Sequence, residues 1–254
     1  MARVFDGSTQ WGTHAAGVRT AAPFSMACWF RPANVTHTGG LMSLTVVDDS
    51  TGFYLFMSNA DIIARVQAGG AADDALISAV ASASAWQHVC FTAASASSRA
   101  VYHNGGSKAT STASRTPAGI NETAIGVTLA AFSLDPFNGR IARAAIWDVS
   151  LSDDDVAALY SNGMAVSPAL VRPEALVAWW DLIGKYSPEI DSVGGFDMTL
   201  TASPTAADGP RLASRRRKAN PFVDAGVVTA TRGVPFGTRG TAFNGGRCLQ
   251  GILR

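Results

Sequence analysis

From Arg3 to Trp147 the chain is a succession of short apolar runs rich in β-branched and aromatic residues. Gly, Pro, Asn and Asp punctuate these runs, and apolar residues hardly ever recur at helical spacing. A chain patterned this way can bury its apolar groups only through strand alternation, which predicts an antiparallel all-β meander. The predicted strands are Ala2–Phe5, Phe24–Arg31, Leu41–Val47, Phe53–Ser58, Ile62–Ala68, Ala75–Ala79, Trp86–Ala93, Ala100–His103, Thr123–Val127 and Gly139–Trp147. Their spacing is that of a sandwich or barrel. Asn104-Gly105-Gly106 marks a hairpin with strands on both sides, because a type I′ turn needs positive φ at both central residues.

One helix is predicted, Asp153 to Ser161. Ser152 can cap it, Asp155 sits where a capping box places its acid, and Asp153 to Asp155 suit the helix dipole. Val156, Leu159 and Tyr160 supply its buried face, and Gly163 ends it. After Pro168 come another strand, Ala175–Leu182, a Gly-rich loop and the run Phe196–Ala202. The expected organisation is a sandwich over residues 1–203 and an extended basic arm over 204–254.

Composition sets limits on function. Apolar residues make up 47% of the 254 residues and charged ones 15%, enough to bury a full core in one large all-β domain. The net charge of +1 hides a basic end, where Arg211, Arg215, Arg216, Arg217, Lys218, Arg232, Arg239, Arg247 and Arg254 face only Asp224. That stretch is Gly-rich and too poor in apolar periodicity to build its own core. The opening MARVFDGS has no apolar leader, and no apolar run approaches the ~18 residues of a membrane span. Export, membrane contact and use of the sequons at Asn34 and Asn121 are therefore not expected. Cys28, Cys90 and Cys248 lack metal-ligand spacing and read as free thiols.

Val4-Phe5-Asp6-Gly7-Ser8, Phe24 to Phe30 (FSMACWF) and Gly139 to Gly163 (GRIARAAIWDVSLSDDDVAALYSNG) occur in an order that resembles the laminin-G-like, concanavalin A-like jelly-roll family. Trp86-Gln87-His88-Val89 and Val101 to Gly105 are similar to that family's central strand and neighbouring hairpin, so the resemblance covers roughly Arg3 to Gly163. It implies an antiparallel β-sandwich with one short helix. LVAWWDL, Asp191 to Gly195 and MTLT resemble the leader that precedes the first strand in many relatives, yet here they follow the helix. Either they complete the same sandwich from the other end, as in a circular permutation, or they form a small appendage; the first is preferred.

The resemblance admits several chemistries. Glycoside hydrolases on this sandwich carry an E-x-D-x-x-E strand, which places its acids on one face. The nearest approach, Glu189-Ile190-Asp191, lacks the third acid and lies between Pro188 and Gly194-Gly195, so it reads as a turn. No histidine accompanies a G-x-S-x-G elbow; His88 and His103 read as structural, His14 and His37 as loop residues. Relatives often hold calcium, but their G-x-I-D motif here reads Gly139-Arg140-Ile141-Ala142, and Asp6 is expected to fix a turn instead. No metal, cofactor or catalytic residue is therefore assigned. Sugar stacking could use Trp11, Trp147, Trp179 or Trp180.

The basic arm could neutralise phosphates, but it lacks interleaved aromatic rings, so nucleic acid is not the expected partner. Docking on protein suits it better: Arg215, Arg216, Arg217 and Lys218 for polar contacts, Phe222 and Phe236 as anchors. By analogy, an unexported jelly roll with such an arm suggests a non-enzymatic phage virion protein. It would be made in the host cytoplasm, form a homo-oligomer and decorate a major capsid or other virion protein. The alternative is a carbohydrate-binding adhesin that grips a host glycan.

Overall fold

The computed structural model describes residues 1–48, 51–83, 85–129, 131, 133–184 and 187–213. They form two antiparallel sheets packed face to face. The first runs in the order β10 (Ser107–Ser111), β9 (Ser98–His103), β8 (Gln87–Ser95), β3 (Phe24–Pro32), β12 (Asn138–Trp147), β1 (Ala2–Asp6) and β15 (Thr205–Ala207). In it, β13 (Leu176–Trp180) pairs with the later part of β12. The second runs β14 (Thr199–Thr201), β2 (Trp11–His14), β11 (Glu122–Ile125), β4 (Thr38–Thr45), β5 (Gly52–Ser58), β6 (Asp61–Ala68) and β7 (Ala71–Ile77). Among the described residues no helix is long and apolar enough to cross a membrane.

Strand alternation explains the core. On β3 the side chains of Phe24, Met26, Cys28 and Phe30 enter the space between the sheets, where they meet Leu44, Leu55 and Met57 of the second sheet and Phe91 of the first. Phe24 meets the Phe53 ring edge-on at 4.8 Å. The intervening β3 residues Ala27 and Trp29 are also buried, because helix α1 (Asp153–Tyr160) and the chain after it cover that outer face. Hence β3 reads as a continuous apolar run instead of an alternating one. Ser152 caps α1 in the expected box with Asp155. The helix stops at Tyr160, and Ser161 turns left-handed (φ 38°) two residues before the expected Gly163 stop.

Turns fix the register. Asn104 and Gly105 both have positive φ, and Asn104 Oδ1 accepts the His88 N–H at 2.9 Å. Asn59-Ala60 and Gly69-Gly70 make two further two-residue turns with positive φ throughout, linking β5 to β6 and β6 to β7. The Gly69-Gly70 turn brings β7 in at Ala71, earlier than the expected Ala75. Its first residues, Ala71-Ala72-Asp73-Asp74, lie on a sheet edge and need no apolar alternation.

The segment after α1 contributes strands to both sheets: β13 pairs β12, and β14 pairs β2, a strand the periodicity missed. The sequence reading starts the arm at residue 204, but the structure differs. Thr205–Ala207 pairs with β1, and Leu212 bridges Ala165. Backbone pairing holds these residues, since Thr205-Ala206-Ala207 and an isolated Leu212 carry no strand signal.

A buried ion pair ties this segment down. Arg3 Nε and Nη2 both reach Glu189 Oε2 at 2.8 Å, Arg3 Nη1 donates to the Pro204 carbonyl at 2.7 Å, and the Ile183 N–H donates to Glu189 Oε1 at 3.1 Å. Removing one member of such a pair leaves an uncompensated buried charge. Glu189→Ala is expected to lower stability by about 3–5 kcal/mol, read as a shift of the urea midpoint. A loss under about 1 kcal/mol would show that the pair does not hold the closure.

Candidate functional site

The outer face of the first sheet, where α1 does not cover it, carries a groove of about 560 Å³ across β8, β9 and β10. Register places its lining: Thr92 lies opposite Ala100 and Ala100 opposite Thr110, while Tyr102 lies opposite Lys108. The turn before α1 adds Ser150 and Asp153. At one end Asp153 Oδ1 accepts from Lys108 Nζ and from the Tyr102 hydroxyl, each at 2.7 Å, and Lys108 lies over the Tyr102 ring at 5.0 Å. The hydrogen bond from Lys108, then that from Tyr102, holds the Asp153 carboxyl below its usual range, and the same bond to Asp153 raises Lys108. Below the groove, Arg99 binds Asp73, Ser111 Oγ and the Ala113 carbonyl.

The hydroxyls of Thr92, Ser98, Thr110, Thr112 and Ser150 line this groove and make no hydrogen bond to any described residue. The groove therefore offers a row of free donor-acceptor groups beside one fixed ion pair. Sequence reasoning missed it. The signal is present, however: the Asn104 turn sets the register, which puts Ser98, Ala100 and Tyr102 on the same face as Lys108, Thr110 and Thr112.

Other nominated residues are committed elsewhere. Asp6 accepts the N–H groups of Ser8, Thr9 and Gln10 and the Thr9 hydroxyl, so its oxygens face donors, the opposite of a cation site. Asp191 accepts the N–H groups of Trp179, Val193, Gly194 and Phe196. With Glu189 held by Arg3, neither acid of that pair reaches a ligand. Of the tryptophans, Trp147 and Trp180 are fully buried and donate to the Val171 and Phe196 carbonyls, which removes both from sugar stacking. Trp11 and Trp179 are half-buried. His14 is not in a loop: it ends β2 and lies edge-on to Phe196. His37 sits before β4, with Nδ1 facing Asn34 Oδ1 and Nε2 accepting from the Asn138 N–H. Arg215, Arg216, Arg217, Lys218, Phe222 and Phe236 lie outside the described residues.

The second sheet's outer face holds a smaller pocket, about 130 Å³, beneath Thr128 and Asp135. Its floor is Tyr54 and Phe56, both nearly fully buried, with the Arg65 guanidinium 5.2 Å above the Phe56 ring and bidentate to Asp74. Arg65 is thus committed to Asp74, and the Thr128 hydroxyl to the Leu134 carbonyl and Asp135.

The family model of laminin-G type described as the concanavalin A-like lectin/glucanases superfamily matches residues 6–157, well over half the chain. The chain belongs to that superfamily. Beyond the matched span lie β13 to β15, which this concanavalin A-like sandwich adds from its later sequence. No curated protein matches the sequence. Among solved structures the fold is similar to the CBM40 module of a Ruminococcus gnavus sialidase bound to α2,3-sialyllactose, with TM-score 0.52 and 18% identity over 62% of this chain and 96% of that one. It is also similar to domain 4 of an extracellular arabinanase from Geobacillus stearothermophilus in complex with arabinotriose, with TM-score 0.51 and 22% identity over 63% and 76%. A Bacteroides ovatus protein proposed to bind carbohydrate gives TM-score 0.58 and 19% identity, covering 83% of this chain and 62% of that one. At these identities the likeness is one of fold.

Two histidines of the concanavalin A-like sandwich record its desolvation. Burial, then the neighbouring His103, pushes the His88 pKa down to about 3; burial pushes His103 down to about 4, and its Nε2 lies 3.0 Å from Gln87 Oε1. Both folded values lie below the unfolded value, near 6.5. Their neutral forms thus contribute stability that is full above pH 6.5 and is lost as pH falls toward 4 and 3. The melting temperature is expected to decline between pH 6.5 and 4, less steeply in His88→Leu. An acid limb confined below pH 4, where the carboxylates titrate, would contradict this assignment.

Proposed function

We propose that the chain is a non-catalytic glycan-binding module whose ligand lies along the β8–β10 groove. One observation carries the reading: five hydroxyls with no hydrogen-bond partner among the described residues share a groove with an aromatic side chain and the Lys108–Asp153 pair. A sugar presents hydroxyls that both donate and accept, and such a row can bind them without leaving either side unpaired. Fold relatives solved with sialyllactose and arabinotriose support the same reading.

Hydrolysis of a glycosidic bond requires two carboxylates about 5–9.5 Å apart, one of them kept protonated. Among the described residues Asp153 is the one acid lining the groove, and its hydrogen bonds favour the ionised form. The role assigned is therefore binding. The adhesin reading takes precedence over capsid decoration, whose docking residues lie outside those described.

An array of neutral and acidic oligosaccharides, followed by calorimetry on the hits, tests the proposal. Thr110→Val with Thr112→Val is expected to weaken the best ligand at least tenfold while leaving the melting temperature within about 2 °C, because both side chains are exposed. The absence of any glycan ligand, or affinity unchanged in the double variant, would overturn it.

A further inference from the structure

A second pocket, of about 280 Å³, opens on the same sheet at the other end of β3. Its distinctive groups are Arg31 and Arg140. Register sets them directly opposite each other on β3 and β12, with Val4 of β1 opposite Arg140 on its other side. Phe30 and Ile141 enter the core between the sheets, so strand alternation turns both arginines to the outer face. Side chains directly opposite on antiparallel strands have Cβ atoms about 5 Å apart, and like charges there are destabilising.

Four arginines of the described residues have an acid: Arg3 has Glu189, Arg65 has Asp74, Arg99 has Asp73 and Arg172 has Asp155. Arg19, Arg115, Arg143 and Arg211 make no ion pair with a described residue and do not face a second arginine across a strand pair. Arg31 and Arg140 do face each other and have no acid among the described residues. Arg31 Nε reaches only the Ala83 carbonyl, at 3.5 Å, and Arg140 makes no side-chain hydrogen bond to a described residue. Both are half-buried. Two partly desolvated guanidiniums are thus held side by side with no counter-charge among the described residues and most of their N–H donors unused there, against an apolar wall of Val4, Pro32 and Ala33.

We infer that this pocket binds an oxyanion, a carboxylate or sulfate, gripped by both arginines. Guanidinium forks match planar and tetrahedral oxyanions bidentately, and the bound charge relieves the repulsion between the two side chains. The volume exceeds that of the anion alone, so the natural carrier is an acidic sugar. That carrier rests on the glycan-binding reading; the anion site does not. From Ser25, level with Thr92 in the groove, to Arg31 is about 20 Å along β3, with Trp29 stacked on Tyr160 between. The two sites are therefore separable.

The test is thermal stabilisation and calorimetry of the full chain with sodium sulfate, sodium glucuronate and glucose, at ionic strength held constant with chloride. Saturable binding of sulfate or glucuronate is expected, lost at least tenfold in Arg31→Gln and Arg140→Gln but retained in the Thr110→Val, Thr112→Val variant. Each Gln variant should melt at or above the wild-type temperature in chloride alone, because the repulsion is gone. Arg31→Lys with Arg140→Lys keeps the charge without the forks and should bind about tenfold more weakly. Saturation by both anions supports an acidic sugar as carrier; saturation by sulfate alone keeps the site and makes a free inorganic anion its occupant. No saturable anion binding, or binding unchanged in both Gln variants, would overturn the inference, whether or not neutral glycans bind the groove.

Discussion

The contact between Arg3 and Glu189 joins residues at opposite ends of the sandwich sequence, and much of the closure hangs on it. Arg3 belongs to β1, which lies between β12 and β15, and its guanidinium also holds the Pro204 carbonyl just before β15. Glu189 in turn bridges Met198 just before β14. One buried side chain thus sets the position of chain that enters both sheets. Burying two charges is costly, and their attraction does little more than offset the desolvation. The value of the pair lies in selecting one arrangement for a segment whose own strands are three residues long.

The rest of the architecture follows from what covers the first sheet's outer face. Helix α1 and the chain to Leu176 lie over Trp147, Tyr102 and Ala27, burying the middle of the sheet on both sides. The ends of that face stay open, and there the strands change character. Toward β10 they carry Ser and Thr, and toward the rim at Pro32 they carry paired arginines. The cover that makes β3 continuously apolar therefore also divides the face into two separate polar surfaces.

Much of the sandwich was legible because burial writes a two-residue period, and because Asn104-Gly105 and the Ser152 box act through local backbone geometry. What escaped is held by partners distant in sequence. β2 and β15 are short and carry no apolar alternation, and exist because β11, β14 and β1 supply hydrogen bonds. Glu189 and Asp191 looked like a turn beside a weak catalytic motif. Their work is to satisfy Arg3 and five backbone N–H groups, which no spacing rule shows. The groove was equally hidden, since Thr110 and Lys108 gain meaning only when the hairpin register places them beside Thr92 and Tyr102.

The pairing of β1 with β15 also bears on mechanics. Gly209 lies against Met1, so the described chain starts and leaves this edge at nearly one point. Tension between Met1 and anything attached beyond Ala213 loads the Ala165–Leu212 bridge first, then separates Thr205–Ala207 from β1 one bonded pair at a time. Antiparallel strands pulled from adjacent ends open like a zipper, whereas strands pulled from far ends must shear all their bonds together. The edge can therefore peel under load as a small extensible spacer while the core sheets, and the surfaces on them, stay closed.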